Sequence, residues 1–554
     1  MLKTGILILI SFITLTTHAQ IPQSKEIDKL FSEWDKPDTP GGALGIIQNG
    51  KLIYSRGYGM ANLDYDIANS PKTVFRIAST SKQFTAASII LLVQKGKLGL
   101  DDPLTDFFPE FPDYARQITI RHLLHHTSGI RDYLTLSYLS GLDENDHYTD
   151  KEIMKWLINQ KTNNFKPGEN FLYSNSGYWL LGKIVEKVTG RSMAEFAENE
   201  IFKPLKMNNT HFHNDHTMIV KNRASGYSPL QDGSFKIDMT TLDMIGDGGV
   251  FTTIEDMKKW DDASYQSDIL NKDFWTMMET TGKLNNGAAI EYSAGLGVRE
   301  FYGLKMISHG GAFVGYRANY IRFPQEKFTI VILANRSDAR VDQKALQIVD
   351  LFLKDKFQKP ESRKKVDSVK SEALKLSEKE LKQWQGDYWY PALNFSRSIV
   401  FKDNALFYQR GSDDGDRLVP IAKNQFTMES NDRVIITFSM NKDKVAAFSF
   451  KYGGELPDIA TRYESVNYDS EEFGAFSGRF YSEELDTTYD LKLQDNKLSI
   501  FINGEKFSTL RSIMTDLLTD DKFGTFSFNR GSDGAIKSFT LAAGRVKNMV
   551  FLKK

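Results

Sequence analysis

The chain has 554 residues, a formal net charge of −1 and 41% aliphatic and aromatic residues. That length suits about three domains with real cores, and the balanced charge gives no reason to expect nucleic acid or an anionic membrane as a partner. It contains no cysteine, which excludes disulfides and a thiol-linked lipid anchor.

In chain order, residues 1–19 (MLKTGILILISFITLTTHA) have a basic start, an apolar stretch and a small-residue end. They read as a signal peptide cleaved after Ala19, so a periplasmic or secreted protein is expected. No later stretch is long and apolar enough to cross a bilayer. Residues 41–62 alternate like two strands joined at Asn49-Gly50, a strong hairpin signal. Ser79-Thr80-Ser81-Lys82 then opens an apolar run and puts a hydroxyl and an amine on one helix face. A serine hydroxyl becomes a nucleophile when a nearby base takes its proton, and a partly desolvated lysine can be that base. On its own the pattern also fits a solvated first helical turn.

Tyr173-Ser174-Asn175 follows the turn at Pro167-Gly168 and precedes an apolar run from Tyr178 to Val188. It sits on a loop entering a helix, where Tyr173 can shuttle a proton and Asn175 can hold a lysine and a substrate amide. The plainer alternative is a loop tyrosine beside a helix cap. His309-Gly310-Gly311-Ala312 lies between β-rich runs joined at Pro324. The two glycines permit close approach of a ligand to the backbone, and an edge strand there offers N–H groups for an oxyanion hole and an extended substrate.

Taken together and in this order, the three motifs resemble the serine β-lactamase and penicillin-binding-protein superfamily, in its class C-type branch with D-aminopeptidases and esterases. Residues 118–133 (ITIRHLLHHTSGIRDY) and 246–260 (GDGGVFTTIEDMKKW) are similar to further segments of that group. The resemblance covers roughly residues 27–354. It implies an α+β, β-lactamase/transpeptidase-like domain (residues 20–354), an antiparallel sheet flanked by helices, with the site where the sheet edge meets the helices. It implies Ser79 as the acylated nucleophile, Lys82 as its base and Tyr173 as the proton relay to the leaving group. Asn175 would orient Lys82 and the substrate, and the N–H groups of Ser79 and Ala312 would form the oxyanion hole, each donor contributing about 3 kcal/mol.

The third motif departs from the family pattern. His309 and Gly310 stand where a lysine and a hydroxyl residue usually grip a substrate carboxylate. A neutral imidazole grips a carboxylate weakly, so weak or no β-lactamase activity is expected, and small peptide, amide or ester substrates are favoured. Arg317 is a candidate for the missing charge, or else a solvated strand residue.

Beyond residue 354 the composition changes. Residues 355–378 read as a charged linker, and the charged stretch, which runs on to Trp384, includes a short helix. The rest alternates apolar and polar residues between Gly, Asn and Asp turns, as antiparallel β structure does. Gly386-Asp387-Tyr388 matches Gly478-Arg479-Phe480, and the hairpin around Asp403-Asn404 matches that around Asp495-Asn496, both at an offset of 92 residues (386 to 478, 403 to 495). Two β-barrel-like modules are expected, residues 379–466 and 467–554. Their layout is similar to the barrels that follow the catalytic domain in D-aminopeptidases, where a barrel loop restricts substrates. A stabilising or protein-binding appendage is the alternative.

Two other function classes stand beside the serine hydrolase. His211, His213, Asp215 and His216 fit a pattern used to bind zinc, but His309 is the only histidine downstream of them. A surface cluster is the simpler reading, and neither a metal nor another cofactor is expected. His122, His125 and His126 read as packing and hydrogen-bonding residues. The second alternative is a non-catalytic penicillin-binding-like sensor. Nothing in the sequence fixes an oligomeric state.

Overall fold

The computed structural model describes residues 21–143, 146–358, 374, 376–391, 395–410, 415–442, 444–452, 458–520 and 524–554. Residues 1–19, expected above to be a signal peptide, and most of the expected linker lie outside the described residues.

The catalytic region is built on strands β1 (Gly42–Gln48), β2 (Lys51–Tyr58), β3 (Gly297–Phe301), β4 (Leu304–Phe313), β5 (Tyr316–Phe323) and β6 (Phe328–Ala334). They form one six-stranded antiparallel sheet in the order β3-β4-β5-β6-β1-β2. The β1–β2 turn has Asn49 at φ 51° and Gly50 at φ 71°, the two left-handed residues that an Asn-Gly hairpin requires. Alternate residues serve two cores. Leu44, Ile46, Ile330 and Ile332 pack with the helix Val341–Leu353 and the N-terminal helix Ser24–Leu30. Ala43, Ala318, Val331 and Leu333 face the helical part. Both faces are covered, so β6 is buried throughout.

Between the sheet's two contributions lie helices α1 (Lys82–Gln94), α2 (Tyr133–Leu139) and α3 (Asn175–Thr189). Helix α1 is buried on every side from Lys82 to Leu92, as a helix apolar all round must be. The turn that leads into it carries Ser79, so the serine stands at the entry of a fully enclosed helix.

The C-terminal part is two closed eight-stranded antiparallel barrels, spanning Gly386–Tyr463 and Gly478–Lys553. The matched hairpins recur at Lys402/Ala405 and Gln494/Lys497. Their turn residues Asp403, Asn404, Asp495 and Asn496 all have positive φ. The first barrel has its own aromatic core, whereas that of the second is continuous with the catalytic region's.

The second barrel is docked by Arg131, whose side chain is fully buried. The guanidinium pairs with the buried Glu484 carboxylate. It also donates to the carbonyls of Lys547 at 3.1 Å and Asn548 at 3.1 Å. From the same seam Tyr489 donates its hydroxyl to the carbonyl of Leu139 at 2.6 Å. Asn164 exchanges bonds with the backbone of Arg545 and Lys547, at 3.0 and 2.7 Å.

Candidate active site

Ser79 lies in a 3-10 turn, Ala78–Ser81, that runs straight into α1. The residue before it, Ala78, has φ 46°. A left-handed alanine costs about 1–2 kcal/mol, and it turns the serine out of the buried helix toward a cleft of about 130 Å³. Ser79, Asn175, Ala312, Phe313, Asp247 and Tyr133 are among the residues lining that cleft.

Lys82 Nζ donates to Asn175 Oδ1 at 2.9 Å and to the carbonyl of Asp247 at 2.6 Å, and lies 3.3 Å from Ser79 Oγ. The two carbonyl oxygens take two N–H bonds of a side chain with no exposure, and the remaining position of the nitrogen faces the serine. Asn175 is held in turn. Ser174 caps α3 through Gly177 N–H, and the Asn175 N–H donates to Asp132 Oδ2 at 2.6 Å. The Tyr173 ring lies 4.8 Å from Lys82 Nζ. Its hydroxyl is buried and has no hydrogen-bond partner among the described residues.

Behind Tyr173, His126 packs with ring centroids 4.2 Å apart. Its Nδ1 accepts the Ser174 N–H at 3.1 Å. Burial and the neighbouring Lys82 push this imidazole well below its ordinary pKa, so it is neutral. The sequence reading of His126 as packing and hydrogen bonding holds, but what it packs is the site's own tyrosine.

Strand β4 runs past the end of β3, which pairs only as far as Ser308. Residues 309–313 therefore form a free edge on that side, and Ala312 meets Ser79 across the cleft. Here one expectation is corrected. A Cβ on Gly311 would lie 2.1 Å from the carbonyl oxygen of Ile77 and 3.0 Å from Thr80 Oγ1. Gly311 is needed because the serine's own turn presses on β4, rather than to admit a ligand. Gly310 faces only ordinary van der Waals neighbours, Asp342 and Ala318.

His309 is buried, and both ring nitrogens are in use. Nδ1 donates to the Gly310 carbonyl at 2.6 Å, and Nε2 lies 3.0 Å from the Tyr292 hydroxyl. Burial and Lys82 bring its pKa down to about 4. The ring borders a separate, shallower hollow with Tyr292 and Arg299. Arg317 does not border the Ser79 cleft. It clamps its own turn, donating to the carbonyls of Val314 at 2.8 Å and Tyr316 at 2.7 Å, and this corrects its assignment as the replacement cation.

The histidine cluster at residues 211–216 is divided. His211 and His213 touch each other at 3.2 Å and pack on Phe251. His216 turns away to Asp243 at 3.0 Å. Among the described residues no three His, Cys, Asp or Glu side chains are placed to hold a metal ion.

The sequence matches the Beta-lactamase family over residues 27–353. The chain belongs to the β-lactamase family. It is a serine hydrolase of the β-lactamase-related type. Among curated relatives it is 30% identical to penicillin-binding protein 4* of Bacillus subtilis (strain 168), over 59% of this chain and 76% of the relative. It is 28% identical to a D-aminopeptidase of Brucella anthropi over 53% of this chain, and spans only 56% of that relative's length. The octameric penicillin-binding protein homologue from Pyrococcus abyssi superposes with a TM-score of 0.55 at 25% identity, covering 79% of this chain and 98% of that one.

Several site residues had no motif to announce them. Tyr133 and Asp247 fall inside segments singled out above, without a role. The Tyr133 hydroxyl donates to Asp247 Oδ2 at 3.0 Å, and burial raises the Asp247 carboxyl above its ordinary pKa. Arg76 and Arg545 also border the cleft. Arg545 comes from a turn of the second barrel, far outside the catalytic sequence, and no local pattern marks it.

Proposed function

We propose that this chain is an exported acyl-enzyme hydrolase of amide, peptide or ester bonds, with Ser79 as nucleophile. The observation that carries the reading is the contact of Lys82 Nζ with Ser79 Oγ, inside a cleft that Ala312 closes from the opposite side. Ser79 Oγ attacks the carbonyl carbon while its proton passes to the Lys82 amine. The developing oxyanion is met by the N–H groups of Ser79 and Ala312, helped by the positive end of α1. The leaving nitrogen takes a proton from the Tyr173 hydroxyl, which no acceptor holds among the described residues. Water then attacks the ester on Ser79 by the reverse relay and releases the acid.

The D-aminopeptidase relatives support an amide or peptide substrate. His309, whose ring nitrogens are both engaged within the protein, offers no charge to a substrate carboxylate at the third motif. The test is turnover of p-nitrophenyl butyrate and a panel of amino amides by the chain without residues 1–19, beside Ser79→Ala. Loss of at least about 10³-fold in kcat in the variant is expected. Equal turnover in both proteins refutes Ser79 as nucleophile. Stoichiometric acylation without turnover points to a sensor.

A further inference from the structure

The cleft holds a cation with no ion-pair partner among the described residues. Arg76 is 6% exposed and borders the cleft beside Ser79. Among the described residues no hydrogen-bond acceptor or carboxylate meets its guanidinium, and its Nε is buried without a partner. Its neighbours are two rings, Phe313 at 5.1 Å and Phe251 at 5.9 Å. Cation–π contact offsets only part of the cost of burying such a charge. Burial holds its pKa below the ordinary arginine value. The Asp247 carboxyl borders the same cleft and acts on Arg76 at longer range, as does Asp243. Its Oδ2 accepts from Tyr133, its Oδ1 has no partner among the described residues, and neither oxygen forms an ion pair with Arg76.

A second guanidinium stands at the rim. Arg545 is 42% exposed and reaches in from the second barrel. It lies 4.7 Å from the Tyr173 ring, and its Nη1 is 3.6 Å from Asp132 Oδ2. That oxygen already accepts the Asn175 N–H, so the pair is long and shared. Arg545 also lines the Ser79 cleft.

Resting on the acyl-enzyme reading above, we propose that the Ser79 cleft selects substrates bearing a carboxylate. Arg76 pairs with it inside the cleft and Arg545 is the outer cation. A carboxylate suits the fork of a guanidinium bidentately, better than a lone ammonium or a neutral imidazole. The charge missing from the third motif is thus supplied from two other places, one of them the second barrel. This gives the barrel a role in recognition.

The test uses matched acid and carboxamide pairs with the full chain. One pair carries the acid on the acyl half, mono-(4-nitrophenyl) glutarate against its carboxamide. The other carries it on the leaving half, N-acetyl-alanyl-alanine in each stereoisomer against its terminal carboxamide. In at least one pair the acid is expected to exceed its amide by about tenfold or more in kcat/KM. That ratio should fall toward one in Arg76→Gln and by at least about threefold in Arg545→Gln. Because a ratio is read, partial loss of folded protein does not alter it. Equal use of acid and amide by the parent overturns the proposal, as does a ratio unchanged in both variants. Turnover that persists in Ser79→Ala sinks the acyl-enzyme reading instead. If no substrate turns over, calorimetric binding of free glutarate decides. Binding that weakens about tenfold in Arg76→Gln supports the proposal, and absent or unchanged binding overturns it.

Discussion

Replacing Arg131 with methionine should loosen the second barrel from the catalytic region. Methionine fills much of the volume of the arginine stem but donates no hydrogen bond. The change removes the partner of Glu484, whose side chain is only 8% exposed, and leaves the carbonyls of Lys547 and Asn548 without their donor. Breaking a buried pair from one side costs about 3–5 kcal/mol, chiefly because an uncompensated charge stays behind. At about 1.4 kcal/mol per tenfold, that is a change of about 10² to 10³·⁵ in the docking equilibrium. The assay is hydrogen exchange followed by mass spectrometry. Amides around residues 545–548, where the Lys547 N–H is bonded to Asn164, should exchange faster by about that factor. Amides in β5 and β6 should not change. The double variant Arg131→Met with Glu484→Leu should recover part of the protection, since apolar replacement of both partners is far cheaper than removal of one. Unchanged protection at the seam in Arg131→Met would refute the reasoning that this pair holds the barrel. Equal acceleration throughout the catalytic region would show that the pair stabilises the whole fold and not the docking.

Gly311→Ala should force the Ile77 carbonyl and β4 apart, because the new Cβ would start 2.1 Å from that oxygen. A loss of about 1–3 kcal/mol in urea unfolding is expected, with turnover falling further than stability, whereas Gly310→Ala should be nearly silent. His309 gives a pH-dependent term. Burial brings its folded pKa down to about 4, while the unfolded chain takes up the proton near pH 6.5. Its contribution is therefore complete above about pH 6.5 and is lost as pH falls toward 4. His309→Gln should flatten that arm of the stability–pH curve by a few kcal/mol, read by urea unfolding at each pH. Turnover should be indifferent to EDTA, given the divided histidines at residues 211–216. Chelator inactivation reversed by zinc would instead reinstate the metal reading.

How much could be read from the chain alone depends on how local the cause is. The Asn49-Gly50 hairpin, the Ser-x-x-Lys spacing at the entry to α1 and the α3 entry at Ser174 are fixed by neighbouring residues, and each stands where the sequence places it. The barrel repeat was legible for the same reason. Paired Asp-Asn turns with positive φ set each hairpin, whatever the barrel packs against. What the sequence could not settle is where long-range burial sends each polar group. Arg317 looked like a free cation, yet its own turn offered carbonyls closer than any substrate. Gly311 looked like a ligand approach, yet the strained Ala78 turn occupies that space. Arg76 sits three residues before the nucleophile, and no motif marked it. Only the closing of Phe251, Phe313 and β4 around it made it a charge with no ion-pair partner among the described residues. Arg545 shows the limit most plainly. Its place at the cleft depends on Arg131 meeting Glu484 across a domain seam, and no sequence window contains both. Periodicity and turn chemistry therefore determined the elements and the nucleophile's helix, while tertiary burial alone decided which charges the cleft leaves for a ligand.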